Sequence, residues 1–179
     1  TWNAVRRWQG QADPPLTERG ERQARRGAIA AADHGPFDGI VTSTLRRAHR
    51  TGDVIAEALG VPLLAALSGL SERSAGEWEG LTRAEIEGRF PGFLAEGKRP
   101  DGYESDASIL ARSSRALRQL AVDHSDRTLL VVSHGGIIHA LERAHSDDDG
   151  WQRLDNLTGR WFEITLEAIV PGAEHVAVD

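Results

Sequence analysis

An α/β sandwich built on a largely parallel sheet is the fold class this sequence predicts, on three observations. Short apolar segments of strand character recur at 37–43, 62–67 and 129–132. Segments with helical periodicity lie between them. Gly and Pro punctuate the joints, at Gly35-Pro36, Gly60-Val61-Pro62 and Gly135-Gly136. Helices that alternate with short buried strands cover both faces of a parallel sheet, since each crossover helix packs back on the strands it joins.

The elements follow in chain order. Thr17 can cap a helix that runs to about His34, with Ala24, Ala28 and Ala31 along one face. Gly35-Pro36 ends it, and 37–43, containing Ile40 and Val41, reads as a strand. Ala48, Thr51, Ile55 and Leu59 share one face of a second helix, which Gly60 terminates. Residues 62–67 suit another strand. Thr82-Arg83-Ala84-Glu85 has capping-box spacing, so a short helix starts there. Residues 91–102 are rich in Gly and Pro and read as a loop. Ile109, Ser113, Ala116, Leu117 and Leu120 mark an amphipathic helix over 105–124. The run Leu129-Leu130-Val131-Val132 is apolar throughout, as expected of a strand buried on both faces. A helix over 137–143 follows Gly135-Gly136, and 161–166 alternates like a late antiparallel strand.

Composition narrows the function. A chain of 179 residues without repeats or low-complexity tracts suits one domain. Hydrophobic residues at 40% and charged residues at 27% exclude a disordered or fibrous chain. No apolar stretch approaches the roughly 20 residues of a membrane span. A net charge of −6 argues against a nucleic-acid partner held by general basicity. Glu18 and Glu21 interleave with Arg19, Arg22, Arg25 and Arg26, so that basic cluster reads as a solvated helix face. Cysteine is absent, which removes disulfides, thiolate metal sites and thiol catalysis. With no signal peptide to read, a cytoplasmic location is expected.

Parallel sheets bind ligands beyond the carboxyl ends of their strands. Two junctions of that kind stand out: Ile40 to Ser43 running into Thr44-Leu45-Arg46-Arg47, and Val131 to Ser133 running into His134-Gly135-Gly136. If both strands are parallel, an arginine and a histidine arrive at one edge of the sheet. Close-approaching backbone N–H groups and a helix start then favour an anion there, phosphate above all. Singly, each signal has an ordinary reading. Arg47 suits the surface of a first helical turn, His134 a satisfied buried position, and the glycines any tight turn. Their combination is what points to a site. Glu72, Glu77 and Glu79 follow the segment 62–67, and each is a candidate proton donor, because a phosphoester's charge raises a neighbouring carboxyl's pKa. Spacing alone does not choose among them.

Four segments stand in order: Trp2-Asn3 with Arg7 to Gly20, then Ser43-Thr44-Leu45-Arg46-Arg47-Ala48, then Leu70-Ser71-Glu72 with Gly76-Glu77-Trp78-Glu79-Gly80, then Ser133-His134-Gly135-Gly136. Over almost the whole chain this pattern resembles the histidine phosphatase superfamily, the phosphoglycerate mutase-like proteins. The resemblance implies a single domain over 1–179 and a three-layer α/β/α sandwich with a mostly parallel central sheet. It selects Arg47 rather than Arg46 as the phosphate-binding arginine, Glu72 as the acid and His134 as the second histidine, so that Arg47, Glu72 and His134 form the catalytic set. Asn3, Gln9, Gly10, Arg47, His134 and Gly135 would line the phosphate pocket, although Asn3, Gln9 and Gly10 read equally as turn formers. The family's first strand ends in an Arg-His-Gly motif holding the nucleophilic histidine, and that motif falls upstream of Thr1. The expectation is that such a segment precedes Thr1, since its loss would strip neighbouring strands of hydrogen-bond partners.

The implied activity is hydrolysis of a phosphomonoester through a phosphohistidine intermediate, with no metal and no cofactor. The alternative within the family is a cofactor-dependent phosphoglycerate mutase. The modest stretch between Gly80 and Ser105 resembles the phosphatase branch more closely. A non-catalytic phosphate-binding protein is the reading that applies if no upstream histidine exists. A metallohydrolase using His134, His139 and His145 with Asp147, Asp148 and Asp149 has no compact ligand spacing behind it. Substrate choice is expected from 90–103 and 146–156, with Arg73, Tyr103 and Asn156 as specificity candidates and Trp8 and Trp78 as candidates for the pocket border. The expected partner is a small phosphorylated metabolite rather than nucleic acid or membrane, with a homodimer left open.

Overall fold

The computed structural model describes residues 2–145 and 154–176, leaving aside the side chains of residues 3, 4 and 173–176. In chain order the elements are α1 (Glu18–Ala32), β1 (Gly39–Ser43), α2 (Arg46–Leu59), β2 (Leu63–Leu67), α3 (Arg83–Arg89), α4 (Asp106–Asp123), β3 (Leu129–Val132), α5 (Gly135–His145), β4 (Gly159–Ile164) and β5 (Ile169–Val176). The predicted caps form. Thr17 Oγ1 accepts the Gly20 N–H at 3.1 Å, and Thr82 and Glu85 close a reciprocal capping box at the start of α3. Gly60, at φ 68°, ends α2 in the left-handed conformation that a side chain would disfavour.

β1 is the centre of an all-parallel sheet ordered β2-β1-β3, and all five of its residues are buried. Alternation along the strands divides the core. Val41 and Val131 face α4 and α5 through Ile109, Leu117, Ile137 and Leu141, whereas Ile40 and Leu130 face α1 and α2 through Ala28 and Ile55. This is the three-layer arrangement expected. Residues 91–102 form the expected loop. It is held by a second, aromatic cluster in which Trp8, Phe90, Phe93 and Tyr103 pack around the fully buried Trp78. Trp78 is thus the centre of that cluster and not part of the pocket border.

Three elements differ from the sequence reading. β3 is only half-buried, although its residues are uniformly apolar. Among the described residues it pairs with β1 alone, and along it runs a cavity of about 1640 Å³ that is also lined by β4. Burial of an apolar strand requires a neighbour, which its own residues do not encode. α5 begins at Gly135 rather than Ile137. The late strand is one half of an antiparallel β4–β5 ribbon whose second half the sequence conceals. Pro171-Gly172 reads as a break, yet a proline is tolerated on a two-stranded ribbon, where Pro171 faces Phe162 beside an irregularity in the register. Among the described residues no helix is long and apolar enough to cross a membrane.

Candidate active site

Both junctions predicted from the sequence open into the cavity beside β3. At the first, β1 ends in Ser43, fully buried, whose Oγ accepts the Leu45 N–H at 3.1 Å and so shapes the entry to α2. Arg47 then sits in the first turn of α2. Its guanidinium donates to the carbonyls of Gly10 and Ala12, each at 2.8 Å, while Asp13 Oδ1 accepts the Arg46 N–H at 2.7 Å. Loop 9–13 is thereby folded over the start of α2. Gly10, at φ 51°, is required there, since a Cβ would lie 2.2 Å from Glu79 Oε1 and 2.8 Å from the Ala75 nitrogen. Glu79 is occupied in this brace, accepting the N–H groups of Gln11 at 2.8 Å and Ala75 at 3.1 Å. Glu77 is exposed on a short 3-10 turn.

Glu72 is the carboxyl that enters the cavity. Oε1 accepts the Arg73 N–H at 2.7 Å, and Oε2 faces the Gly136 N–H at 3.4 Å, at the first turn of α5. A Cβ on Gly136 would come within 2.0 Å of Glu72 Oε1, so only glycine lets this helix start rest on the acid. Burial pushes the Glu72 carboxyl above its ordinary range, against the opposing pull of the two N–H groups and of the Arg47 and Arg73 charges. Its proton is therefore held more firmly than that of an exposed glutamate.

At the second junction His134 is buried, with Nε2 2.8 Å from Ser43 Oγ. Ser43 Oγ thereby ties the entry of α2 to the imidazole, since one hydroxyl can accept from Leu45 and at the same time share a proton with Nε2. Burial, reinforced by the Arg47 and Arg112 charges, lowers the His134 pKa to about 3. The ring is a neutral donor. Arg47 is also lowered by burial, with Glu72, Asp13 and Glu79 pulling it back up, and it keeps its charge.

Gln9, Gly10, Arg47, Glu72, Arg73, Tyr103, His134, Gly135 and Asn156 all line this one cavity, together with Trp8. Asn3 lies in the opening 3-10 turn, and its side chain is outside the described residues. Arg73 is committed elsewhere: it donates to the Glu104 carbonyl at 2.7 Å, pairs with Asp106 at 2.6 Å and lies 5.6 Å from the Tyr103 ring centre. It braces the cavity wall more than it reaches into the opening. Asp147, Asp148 and Asp149 fall outside the described residues, and His139 faces Glu142 at 3.5 Å. Sequence reasoning did not single out Ser43, which the bond to His134 brings into the site, or Gly136, whose N–H meets the acid.

Comparison with known proteins gives the family. The family model for the histidine phosphatase superfamily, branch 1, matches residues 1–168. A glucosyl-3-phosphoglycerate phosphatase from Mycobacterium tuberculosis is 34% identical over 156 residues, 80% of this chain and 69% of the relative. A metal-independent phosphoserine phosphatase from Arabidopsis thaliana is 32% identical over 148 residues, 79% and 62% of the two chains. The solved structure of mycobacterial glucosyl-3-phosphoglycerate phosphatase with VO3 superposes with a TM-score of 0.81 at 30% identity, covering 96% of this chain and 90% of that one. The chain belongs to the histidine phosphatase superfamily, branch 1. Within it, the chain is a phosphatase.

Proposed function

We propose that the chain hydrolyses the phosphomonoester of a small metabolite in two steps, through a phosphohistidine. The observation that carries this reading is the convergence on one cavity of a charged arginine, a buried carboxyl whose pKa is raised and a neutral histidine. Arg47 offers a planar pair of donors to the phosphoryl oxygens, a fit that a lysine point charge lacks. The neutral His134 ring and the Gly135 N–H at the start of α5 supply further donors for the same charge, while the Gly136 N–H faces Glu72. Gln9, Gly10 and Gly135 complete the phosphate-facing wall.

The attacking histidine belongs, in this reading, to a strand that precedes Thr1 and lies along the free edge of β3. Such a strand would occupy the part of the cavity that runs along Leu129–Val132 and end next to His134, leaving the part between Arg47, Glu72 and His134 to the substrate. Its imidazole nitrogen bonds to phosphorus as the ester P–O bond breaks, and the Glu72 carboxyl gives its proton to the departing alkoxide. Glu72, now a carboxylate, then takes a proton from water as that water attacks the phosphohistidine and releases inorganic phosphate. The relatives named above suggest substrates of phosphoglycerate or phosphoserine type. The test is rapid acid-free quenching of the full-length protein after mixing with 32P-labelled substrate. Alkali-stable, acid-labile label on a histidine is expected; turnover without any such label would overturn the two-step reading.

A further inference from the structure

The loop that presents Glu72 has no regular secondary structure at the acid, yet its backbone is fixed. Four consecutive carbonyls, Gly69 to Glu72, each accept from a side chain. Leu70 takes the Ser133 hydroxyl at 2.7 Å, and Glu72 takes Gln11 Nε2 at 3.0 Å. The remaining bonds come from one guanidinium, that of Arg112 on α4. Nη1 donates to Gly69 O at 2.9 Å and to Ser71 O at 2.7 Å, and Nη2 donates to Glu72 O at 3.1 Å. The other edge of the same group meets Glu104 in a two-pronged pair, Nε to Oε1 at 2.7 Å and Nη2 to Oε2 at 2.8 Å. All five N–H donors of Arg112 are therefore used.

Glu104 is itself immobilised. Its side chain is 10% exposed, and its oxygens also accept the Ser108 hydroxyl at 2.9 Å and the Ser74 N–H at 3.4 Å. Loop and helix are in close contact as well: a Cβ on Gly69 would lie 2.8 Å from Ala116 Cβ and 3.0 Å from the Arg112 carbonyl oxygen. The Arg112 guanidinium does not bond to the Glu72 carboxyl, so its bonds are to the frame that holds the acid.

We infer that Arg112, locked by Glu104, is the positioning residue for the Glu72 proton donor: it fixes the 69–72 backbone so that the carboxyl faces the leaving oxygen of the substrate. This inference rests on the reading of Glu72 as the acid. A lysine keeps the charge but cannot bind three carbonyls and a carboxylate at once. The loop would then loosen without losing its cation, and a proton donor displaced by about 1 Å loses on the order of 10²-fold in rate.

The test compares R112K and E104Q with the parent full-length enzyme, using kcat/KM for O-phosphoserine and for p-nitrophenyl phosphate. Nitrophenolate departs without a proton, whereas a serine alkoxide needs one, so only the first substrate reads the acid's placement. R112K should lower kcat/KM for O-phosphoserine about 10²-fold while p-nitrophenyl phosphate stays within about threefold. E104Q should show the same selectivity to a smaller degree, and it decides the question if R112K does not fold. Equal losses on both substrates, or no loss on either, would overturn the inference. E72Q run alongside separates the two assignments. Selectivity in E72Q but not in R112K and E104Q removes only the role of Arg112; no selectivity in E72Q removes the acid itself.

Discussion

The two strand-to-helix junctions, β1 into α2 and β3 into α5, deliver one basic side chain each to a common cavity, and burial acts on them unequally. Both Arg47 and His134 are lowered from their ordinary values, first by loss of hydration. Arg47 starts so high that it stays charged; His134 starts at 6.5 and falls to about 3. One environment thus yields a permanent cation on one side and a neutral donor on the other. Glu72 is moved upward by the same loss of hydration and so holds its proton more firmly than an exposed glutamate. Burial acts in one direction on charge but yields three different groups, because the three residues start from different pKa values.

The largest effect should come from removing the fixed charge. R47A is expected to reduce kcat/KM by about 10⁴-fold, within the range known for phosphoryl-binding arginines. If R47A lost less than H134A, the assignment of the permanent charge to the first junction would fail. H134A should cost about 10³-fold, and H134Q, which restores a neutral N–H donor, should recover about tenfold of that. A histidine needed in its charged form would give no recovery with glutamine. E72Q follows, with about 10²-fold loss on O-phosphoserine. In the parent enzyme that activity should decline as pH rises through the elevated Glu72 pKa, because the donated proton is gone above it. The descending limb should be absent from the E72Q pH profile.

The smallest effect concerns stability. His134 has a folded pKa of about 3 against an ordinary 6.5, so the unfolded chain binds the proton first. The corresponding stability is complete above pH 6.5 and drains away as pH falls toward 3. Urea titrations at pH 7 and pH 5 should show about 2 kcal/mol more acid sensitivity in the parent than in H134Q. Glu72 works in the opposite direction. Its raised pKa favours folding at low pH and opposes it as pH climbs, so E72Q should be the more stable protein at neutral pH.

The same contrast between local and distant causes explains what the sequence disclosed. Thr17, Gly60 and the Thr82–Glu85 box act on atoms within a few residues, and each was readable in place. Arg47 and His134 were readable because their motifs fall at strand ends, where the topology brings them together, whereas Glu72 was chosen over Glu77 and Glu79 only by the family resemblance. Burial of β3 was not, because it depends on what lies along its second edge. β5 was hidden by Pro171-Gly172. Arg112 looks like any solvated arginine on an amphipathic helix, since its partners at Gly69, Ser71 and Glu72 lie 43, 41 and 40 residues away in sequence.

A crystal structure of the full-length protein with orthovanadate measures the convergence of the two junctions most directly. The predicted result is vanadate in the cavity with its oxygens bonded to the Arg47 guanidinium and to His134 Nδ1, and with Glu72 facing the position of the leaving group. Vanadate bound elsewhere, with those three side chains untouched, would contradict the assignment.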